Sequence, residues 1–152
     1  MILAVLLLTL LVFPILIIAF LAYISSGRPV FYWSDRIGKE SLTFSMPKFR
    51  TMRTNTPEIA THMLDDPDVF LTPIGRLLRK TSLDEIPQFF NVIKGEMSLV
   101  GPRPERAYFV NQFRKNIPGY MLRHKVKSGL TGWAQINGLR GDTSIEKRIE
   151  LE

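Results

Sequence analysis

Residues Ser82–Glu105 read SLDEIPQFFNVIKGEMSLVGPRPE and combine an acidic pair, an apolar helical pattern and a rigid turn. Ser82, followed three residues later by Glu85, fits a capping box, which predicts a helix that begins here and continues to Lys94. Gly95 then ends the helix. The apolar positions of this helix share one face of a 3.6-residue period: Ile86, Phe89, Phe90 and Ile93.

The adjacent carboxylates of Asp84 and Glu85 have two interpretations. Neighbouring helix residues point about 100° apart, so the pair cannot share one proton as facing carboxylates do. Acids in a first helical turn complement the helix dipole by ~0.3–1 kcal/mol, and for the pair alone this interpretation is favoured. In the alternative, one carboxylate attacks a phosphoryl group while the other binds Mg²⁺ and cationic side chains neutralise the repulsion.

Basic residues accompany this pair along the chain. Arginine binds phosphate in a bidentate fork, which suits a nucleotide diphosphate or a lipid phosphate. The competing interpretation is a solvated surface that faces an anionic membrane. Arg103 differs from the rest because two prolines flank it, and Arg79 because it precedes Asp84 by five residues. The full set is Lys48, Arg50, Arg76, Arg79, Lys80, Arg103 and Arg140.

The N-terminal run Met1–Tyr23 is aliphatic and aromatic, and as a helix it would reach about 34 Å, enough to cross a hydrocarbon core. Pro14 removes one helix hydrogen bond and predicts a kink. The run is then either a kinked transmembrane span or a hairpin that enters and leaves by one face, and bilayer physics favours the span. Arg28, Arg36 and Lys39 follow it closely, which predicts a cytoplasmic position for the rest.

The predicted organisation is a hydrophobic membrane helix over residues 1–25 and an α/β domain over 26–152, mostly helical with a small β-hairpin. The hairpin strands are Val30–Trp33 and Leu42–Met46, and Pro47 interrupts the second strand. Further helices are predicted over residues 57–64, 74–80, 104–116 and 118–126, and a last one from Thr143, while 127–140 is predicted as strand and loop.

Composition narrows the class of protein. The 152 residues allow about one domain, and the net charge of +6 lies entirely after Ser26, which favours anionic partners. The absence of cysteine excludes disulfides and thiolate metal sites. Glycine-rich nucleotide loops and HExxH are absent too. Nucleic acid is a poor candidate because Phe89 and Phe90 follow core periodicity and do not alternate with the basic residues.

Four ordered runs, covering nearly all of residues 28–141, resemble the bacterial sugar transferase family, the monotopic phosphoglycosyl transferases that load a sugar phosphate onto polyprenol phosphate. The runs are KFRTM at 48–52, Arg79 with TSLDEIPQ at 81–88, NVIKGEMSLVGPRP at 91–104 and GLTGWAQING at 129–138. Matches of this length and order are far more specific than any short motif.

The resemblance implies a role for each carboxylate. Asp84 matches the nucleophile, which attacks the β-phosphate of a UDP-sugar, releases UMP and becomes a covalent aspartyl-phosphosugar. The sugar phosphate then passes from Asp84 to undecaprenyl phosphate. Glu85 matches the residue that holds Mg²⁺.

The resemblance also implies substrate contacts and a location. Pro14 has a family counterpart that breaks the helix so that both its ends stay cytoplasmic, and this reverses the preference for a span in favour of a re-entrant helix. The implied location is the bacterial inner membrane, with phospholipids as partners and the catalytic domain facing the cytoplasm. The reaction would be the first membrane step of capsule, exopolysaccharide or lipopolysaccharide synthesis. The residues assigned to substrate binding are Lys48, Arg50, Arg79, Arg103, Pro104 and Arg140.

Two departures from the family pattern qualify this assignment. Ser128 stands where a proline is common, and the family usually continues for some thirty residues past Ile145, so the chain is expected to be either a fragment truncated at its C-terminus or a minimal member of the family. The alternative function is therefore a non-catalytic membrane-surface scaffold or an inactive fragment of such an enzyme. Neither the sugar, the pathway nor the oligomeric state is specified by the sequence.

Overall fold

The computed structural model describes residues 2–57, 66–140 and 143–152, and the fold is a small mixed α/β arrangement, mostly helical with a two-stranded hairpin. This confirms the predicted fold class at that level. The helices are α1 Ile2–Ser26, α2 Pro73–Thr81, α3 Phe89–Lys94, α4 Ala107–Asn116, α5 Trp133–Ile136 and α6 Ile145–Glu150, and the strands are β1 Phe31–Ile37, β2 Thr43–Phe49, β3 Ser98–Val100 and β4 Gly129–Thr131. The predicted helix over 57–64 falls mainly on residues outside the described ranges.

The described chain divides into two compact units. The N-terminal unit comprises Leu6–Trp33 and Pro47–Pro87, and the C-terminal unit comprises Met1–Val5, Ser34–Met46 and Gln88–Glu152. Each unit contributes its own set of candidate functional residues.

Helix α1 runs without interruption from Ile2 to Ser26, through Pro14. Ile18 and Ala22 are buried, whereas several other large apolar side chains of the helix, such as Phe13 and Phe20, are exposed. In the part of the chain that the structure describes, no helix combines the length and apolarity needed to cross a bilayer. A bend of the axis at Pro14 stays a prediction.

The hairpin β1–β2 turns through a short 3-10 helix, Lys39–Ser41, and the amide of Gly38 donates to the carbonyl of Leu42 at 2.9 Å. The predicted interruption at Pro47 is wrong, because β2 continues through it to Phe49. Among the residues that the structure describes, strand β2 pairs only with β1, and a proline is tolerated in such an edge strand where its missing N–H faces no partner.

Helix α2 begins as the sequence predicts. The Thr72 hydroxyl accepts a hydrogen bond from the amide of Gly75, and Pro73 occupies the first helical position. The helix packs close to the segment that leaves β2: a Cβ added to Gly75 would collide with the carbonyl of Thr51. The N-terminus of α2 is therefore fixed against Thr51.

The predicted capping box at Ser82 is wrong. Ser82 has φ 59° and ψ 17°, a left-handed conformation, and its amide donates to the carbonyl of Arg79, so it ends α2. The chain restarts as a tighter 3-10 helix, Leu83–Gln88, which carries both carboxylates and contains Pro87. Only the second half of the predicted helix is α-helical, as α3, and it ends at Gly95 as predicted.

The C-terminal unit has a compact apolar core under α3. Phe44 and Met46 of β2 pack with Val92 and Met97, and Leu99 and Leu130 border this cluster. Strand β3 pairs in parallel with β4, Ser98 opposite Gly129 and Val100 opposite Thr131. The sequence analysis missed β3, which is only three residues long.

The remaining predicted helices are confirmed in position but differ in extent. Helix α4 begins at Ala107 and ends at Asn116, so the predicted start at Pro104 is three residues early. The segment predicted as a helix over 118–126 is a 3-10 helix, Tyr120–Lys125. Helix α6 begins after Ser144, whose hydroxyl accepts from the amide of Lys147, as the Thr143 start predicts.

Candidate active site

The two carboxylates of the 3-10 helix Leu83–Gln88 have different surroundings, all within the N-terminal unit. Lys48, in β2, donates from Nζ to Oε1 of Glu85 at 2.7 Å, and both side chains are mostly buried. Asp84 is only 7% exposed. The strand therefore places a cation beside the helix turn that carries both acids.

A second cation approaches Asp84 from α2. Arg79 lies in the last turn of this helix, and its Nε donates to the hydroxyl of Thr51 at 2.9 Å. Because Ser82 adopts a left-handed conformation, the chain reverses between Arg79 and Asp84, and the two charges interact electrostatically.

Burial raises the pKa of Asp84 above its ordinary value of 3.8, because the ionised form loses hydration. The charge of Lys48 acts in the opposite direction and lowers this pKa, while Glu85 raises it and Arg79 lowers it. Burial also lowers the pKa of Arg79 from its ordinary value, although the charges of Asp84 and Asp68 oppose this shift. Two cations thus act on the carboxylate of Asp84, and they offset only part of the effect of burial.

Arg50 makes contacts that order its own segment. Its Nε donates to the carbonyl of Pro29 at 2.8 Å, its amide donates to the carbonyl of Val30, and its guanidinium lies 5.8 Å from the ring centre of Tyr32. These contacts join the exit of β2 to the segment after α1. A role for Arg50 in substrate binding stays a prediction.

Three other predicted substrate contacts lie in the C-terminal unit. The carbonyl of Arg103 accepts from Nη2 of Arg123 at 2.7 Å, and Pro104 is buried. The turn that carries them is fixed to β4, since the amide of Gly129 donates to the carbonyl of Pro102. Arg140 is exposed, near the end of a described range.

Two threonines, Thr51 and Thr72, were not among the predicted site residues. Thr51, 6% exposed, holds Arg79 through its hydroxyl, and its carbonyl accepts from both the amide and the hydroxyl of Thr72 at 3.0 and 3.3 Å. Nothing in the pattern around Thr51 indicated a partner 28 residues further along the chain.

The carboxylates fit the requirements of Mg²⁺ without forming a closed protein site. Among the described residues, no three His, Cys, Asp or Glu side chains cluster as a metal cage would require. Mg²⁺ usually keeps several waters and is bound by one or two carboxylates together with substrate phosphates. Asp84 and Glu85, adjacent in one 3-10 turn, are a donor set of that kind.

Comparison with protein families gives one match that covers the chain. The profile described as "Bacterial sugar transferase" matches residues 1–152.

Among curated relatives, this chain is 45% identical over 151 residues to a UDP-glucose:undecaprenyl-phosphate glucose-1-phosphate transferase of Escherichia coli (strain K12), covering 96% of this chain and 32% of that protein. It is 44% identical over 135 residues to a UDP-N-acetylgalactosamine-undecaprenyl-phosphate N-acetylgalactosaminephosphotransferase of Aeromonas hydrophila, covering 88% and 32%. A UDP-glucose:undecaprenyl-phosphate glucose-1-phosphate transferase of Caulobacter vibrioides is 42% identical over 140 residues, covering 90% and 52%. The chain thus spans about a third to a half of these relatives' lengths.

Proposed function

Because the chain belongs to the bacterial sugar transferase family, we propose that it transfers a sugar 1-phosphate from a UDP-sugar to undecaprenyl phosphate and releases UMP. The names of its relatives support both substrates, and these relatives act on two different sugars, glucose and N-acetylgalactosamine. The single observation in the structure that supports this reaction best is the buried carboxylate of Asp84, which interacts electrostatically with the cations of Lys48 and Arg79.

In the proposed first step, a carboxylate oxygen of Asp84 attacks the β-phosphorus of the UDP-sugar. The bond from that phosphorus to the oxygen bridging the α-phosphate breaks, and UMP leaves with the bonding electrons. The product is an aspartyl-phosphosugar. In the second step, a phosphate oxygen of undecaprenyl phosphate attacks the same phosphorus, and Asp84 leaves as a free carboxylate, which completes a polyprenyl diphosphate sugar.

The chain's own cations make the attack of one anion on another feasible. Lys48 and Arg79 lower the pKa of Asp84 against the effect of burial, so they favour the ionised, nucleophilic form. Arg79 also offers the charge that a phosphate needs nearby, in a site where burial strengthens electrostatic interactions. Lys48 holds Glu85 at 2.7 Å and so fixes the direction of the second carboxylate.

Glu85, with Asp84 beside it, would hold Mg²⁺ in this proposal. When bound, the ion would neutralise charge on the diphosphate of the substrate. Arg103, Pro104 and Arg140 of the C-terminal unit, together with Arg50, complete the proposed substrate-binding set.

The proposed location is the bacterial inner membrane, with the catalytic residues on the cytoplasmic side. Helix α1 supports a membrane location, since it exposes many large apolar side chains whose contact with water is unfavourable. A re-entrant α1 would bring the site to the membrane surface, where undecaprenyl phosphate presents its phosphate. The reaction would begin the synthesis of a surface glycan such as a capsule, an exopolysaccharide or a lipopolysaccharide.

The proposal is tested by trapping the covalent intermediate. The protein is incubated with Mg²⁺ and UDP-glucose or UDP-N-acetylgalactosamine, without undecaprenyl phosphate, and digested for mass spectrometry. A phosphosugar adduct is expected on the peptide that contains Asp84, together with one UMP released per adduct. The exposed Asp35→Asn is the matched control and should keep the adduct.

An adduct that persists in Asp84→Asn would contradict the assignment of the nucleophile. If neither the adduct nor UMP forms at any Mg²⁺ concentration with any UDP-sugar, the alternative of a non-catalytic scaffold or inactive fragment gains the support that the transferase loses.

A further inference from the structure

Over the described ranges, the guanidinium of Arg79 is hydrogen-bonded on one edge only, through Nε. Its Nε donates to the hydroxyl of Thr51 at 2.9 Å. Within residues 2–57, 66–140 and 143–152, the Nη nitrogens make no further hydrogen bond. A guanidinium carries five N–H donors in a planar fork. One edge is therefore anchored, and the outer edge keeps donors for an anion.

Thr51 is itself rigid, which makes it an effective anchor. The amide and the hydroxyl of Thr72 both bond its carbonyl, and Thr72 simultaneously caps α2. Gly75, in the first turn of α2, packs so close to the Thr51 carbonyl that no side chain fits there. Thr51 thus contacts α2 at its N-terminal end through the carbonyl and at its C-terminal end, through Arg79, by the hydroxyl.

The charges around Arg79 do not by themselves fix its direction. Asp84 and Asp68 both attract the guanidinium, and Asp68 lies in the 3-10 helix Pro67–Phe70, where its side chain is 70% exposed. Coulomb attraction has little angular preference, whereas a hydrogen bond prefers an angle above about 150° at the hydrogen. The Thr51 hydroxyl is the one directional contact that keeps the plane of Arg79 in place among the described residues.

We infer that Thr51 is a positioning residue, whose hydroxyl fixes the guanidinium of Arg79 through Nε so that the outer Nη edge is presented to the diphosphate of the substrate. The inference rests on the proposed function, because it assumes that Arg79 meets a phosphate. In this inference a neutral, buried side chain sets the orientation of a charged side chain that binds the substrate. Thr51 itself does not touch the reacting atoms.

The test compares three substitutions. Thr51→Val keeps the shape but removes the hydroxyl, and Thr51→Ser keeps the hydroxyl. Thr81→Val is the matched control, since the Thr81 hydroxyl bonds only the carbonyls of Leu77 and Leu78, within α2 itself, among the described residues. Initial rates of UMP release are measured over a range of UDP-sugar concentrations. Far-UV circular dichroism confirms that each variant is folded.

Thr51→Val should lose about 10- to 100-fold in kcat/KM, since a displacement of about 1 Å at a positioned group costs on that order. Thr51→Ser should recover most of the loss, and Thr81→Val should stay close to wild type. In an Arg79→Lys background, which lacks Nε, Thr51→Val should have an effect below about twofold, because coupled residues are not additive. A full loss from Thr51→Val in that background would overturn the inference, since Thr51 would then act without Arg79.

A readout independent of turnover separates the two proposals. The Nε–H of Arg79, identified by its absence in Arg79→Lys, is observed by ¹⁵N–¹H NMR in the presence and absence of UDP-sugar. A hydrogen-bonded Nε–H exchanges slowly with water and gives a sharp signal in wild type and Thr51→Ser, and Thr51→Val should broaden or lose it.

An unchanged signal in Thr51→Val overturns the inference whether or not the protein is active. A lost signal in a protein that releases no UMP contradicts the proposed function and leaves the anchoring of Arg79 established.

Discussion

Asp84 combines burial, which disfavours the charged form, with a proposed role as nucleophile that requires the charged form. Because burial raises its pKa, ionisation in the folded protein occurs at higher pH than the ordinary value of 3.8. In the proposed reaction, the site therefore gives up some stability for a nucleophile that is poorly hydrated and reactive. Trade-offs of this kind are common at functional sites.

The pH dependence of the first step should reflect this shift. UMP release is expected to fall as the pH falls through the raised pKa of Asp84, above the pH at which an exposed aspartate would protonate. Lys48→Met should move this acid limb to still higher pH, because the charge of Lys48 lowers the pKa. The measurement is the pH profile of adduct formation, and a limb that moves to lower pH in Lys48→Met would contradict the assignment.

Ionisation of Asp84, which the proposed reaction requires, should lower the stability of the folded protein. A carboxylate with a raised pKa in the folded state binds more protons folded than unfolded, so the free energy of unfolding decreases as the pH rises through that pKa. Asp84→Asn should therefore be more stable than wild type by about 0.5–2 kcal/mol at pH 7, and the gain should disappear below pH 3.8. Urea unfolding at both pH values measures the difference, with Asp35→Asn as the exposed control.

At the scale of single elements, α2 acts as a spacer between Thr72 and Arg79. Gly75 lies inside this helix, where alanine is normally preferred by about 1 kcal/mol. Here the close approach of the Thr51 carbonyl reverses that preference.

Gly75→Ala should destabilise the protein by about 1–3 kcal/mol, as overpacking does, and should reduce UMP release because α2 and Arg79 shift together. Leu77→Ala, at an exposed position of the same helix, is the control for helix propensity and should be nearly neutral. Thermal unfolding and initial rates check both variants. A stabilised Gly75→Ala variant would contradict the close packing between α2 and Thr51.

Helix α1 should carry the membrane affinity of the chain. Phe13→Lys places a charge on an exposed apolar position near its middle, at a cost of about 2.5–3.5 kcal/mol if that position is buried in lipid. When the vesicles are sedimented by centrifugation, the variant should move from the vesicle pellet to the supernatant. Leu42→Lys, exposed in the hairpin turn, is the control and should remain bound; equal release of both variants would contradict a membrane role for α1.

The elements show where the sequence was sufficient. The starts of α2 and α6 were predicted to within two residues, because the caps at Thr72 and Ser144 that fix them are local contacts. The capping box at Ser82 failed because a left-handed residue and the following Pro87 convert the segment into a C-cap and a 3-10 turn. Strand β3 was missed because three residues carry no periodicity, and its partner lies about thirty residues away.

For the whole molecule, charge and apolarity are separated along the chain. All charged residues follow Ser26, and the net charge is +6. The apolar α1 and the cationic remainder should therefore contribute to membrane binding in different ways.

Salt should separate these contributions. Raising the ionic strength from about 0.1 to 1 M shortens the screening length from about 10 to 3 Å. The preference for vesicles with anionic lipid over neutral vesicles should then disappear, while binding to neutral vesicles persists through α1. In Phe13→Lys, which weakens α1, the remaining binding should depend on salt almost entirely. Salt-independent binding of that variant would contradict the separation.

Only part of the candidate site could be predicted from the sequence. Asp84, Glu85, Lys48 and Arg79 were candidates from the acidic pair and the basic set, and the resemblance implied their roles. The structure brings these four together in one unit. Thr51 was not singled out, because its role depends on a contact across 28 residues that no local pattern encodes.

The parallel pairing of β3 with β4 has a consequence for how the chain is made. The turn Gly101–Pro104 obtains its hydrogen bonds from residues that are synthesised later, since Gly101 donates to the carbonyl of Thr131 and Pro102 accepts from Gly129. Closing a loop of this length costs entropy before any contact rewards it. During translation, the turn that carries Arg103 can therefore form only after β4 has left the ribosome. Asp84 and its two cations leave the ribosome well before that. The proposed substrate contacts at Arg103 and Pro104 would therefore reach their final positions later than Asp84 and its cations.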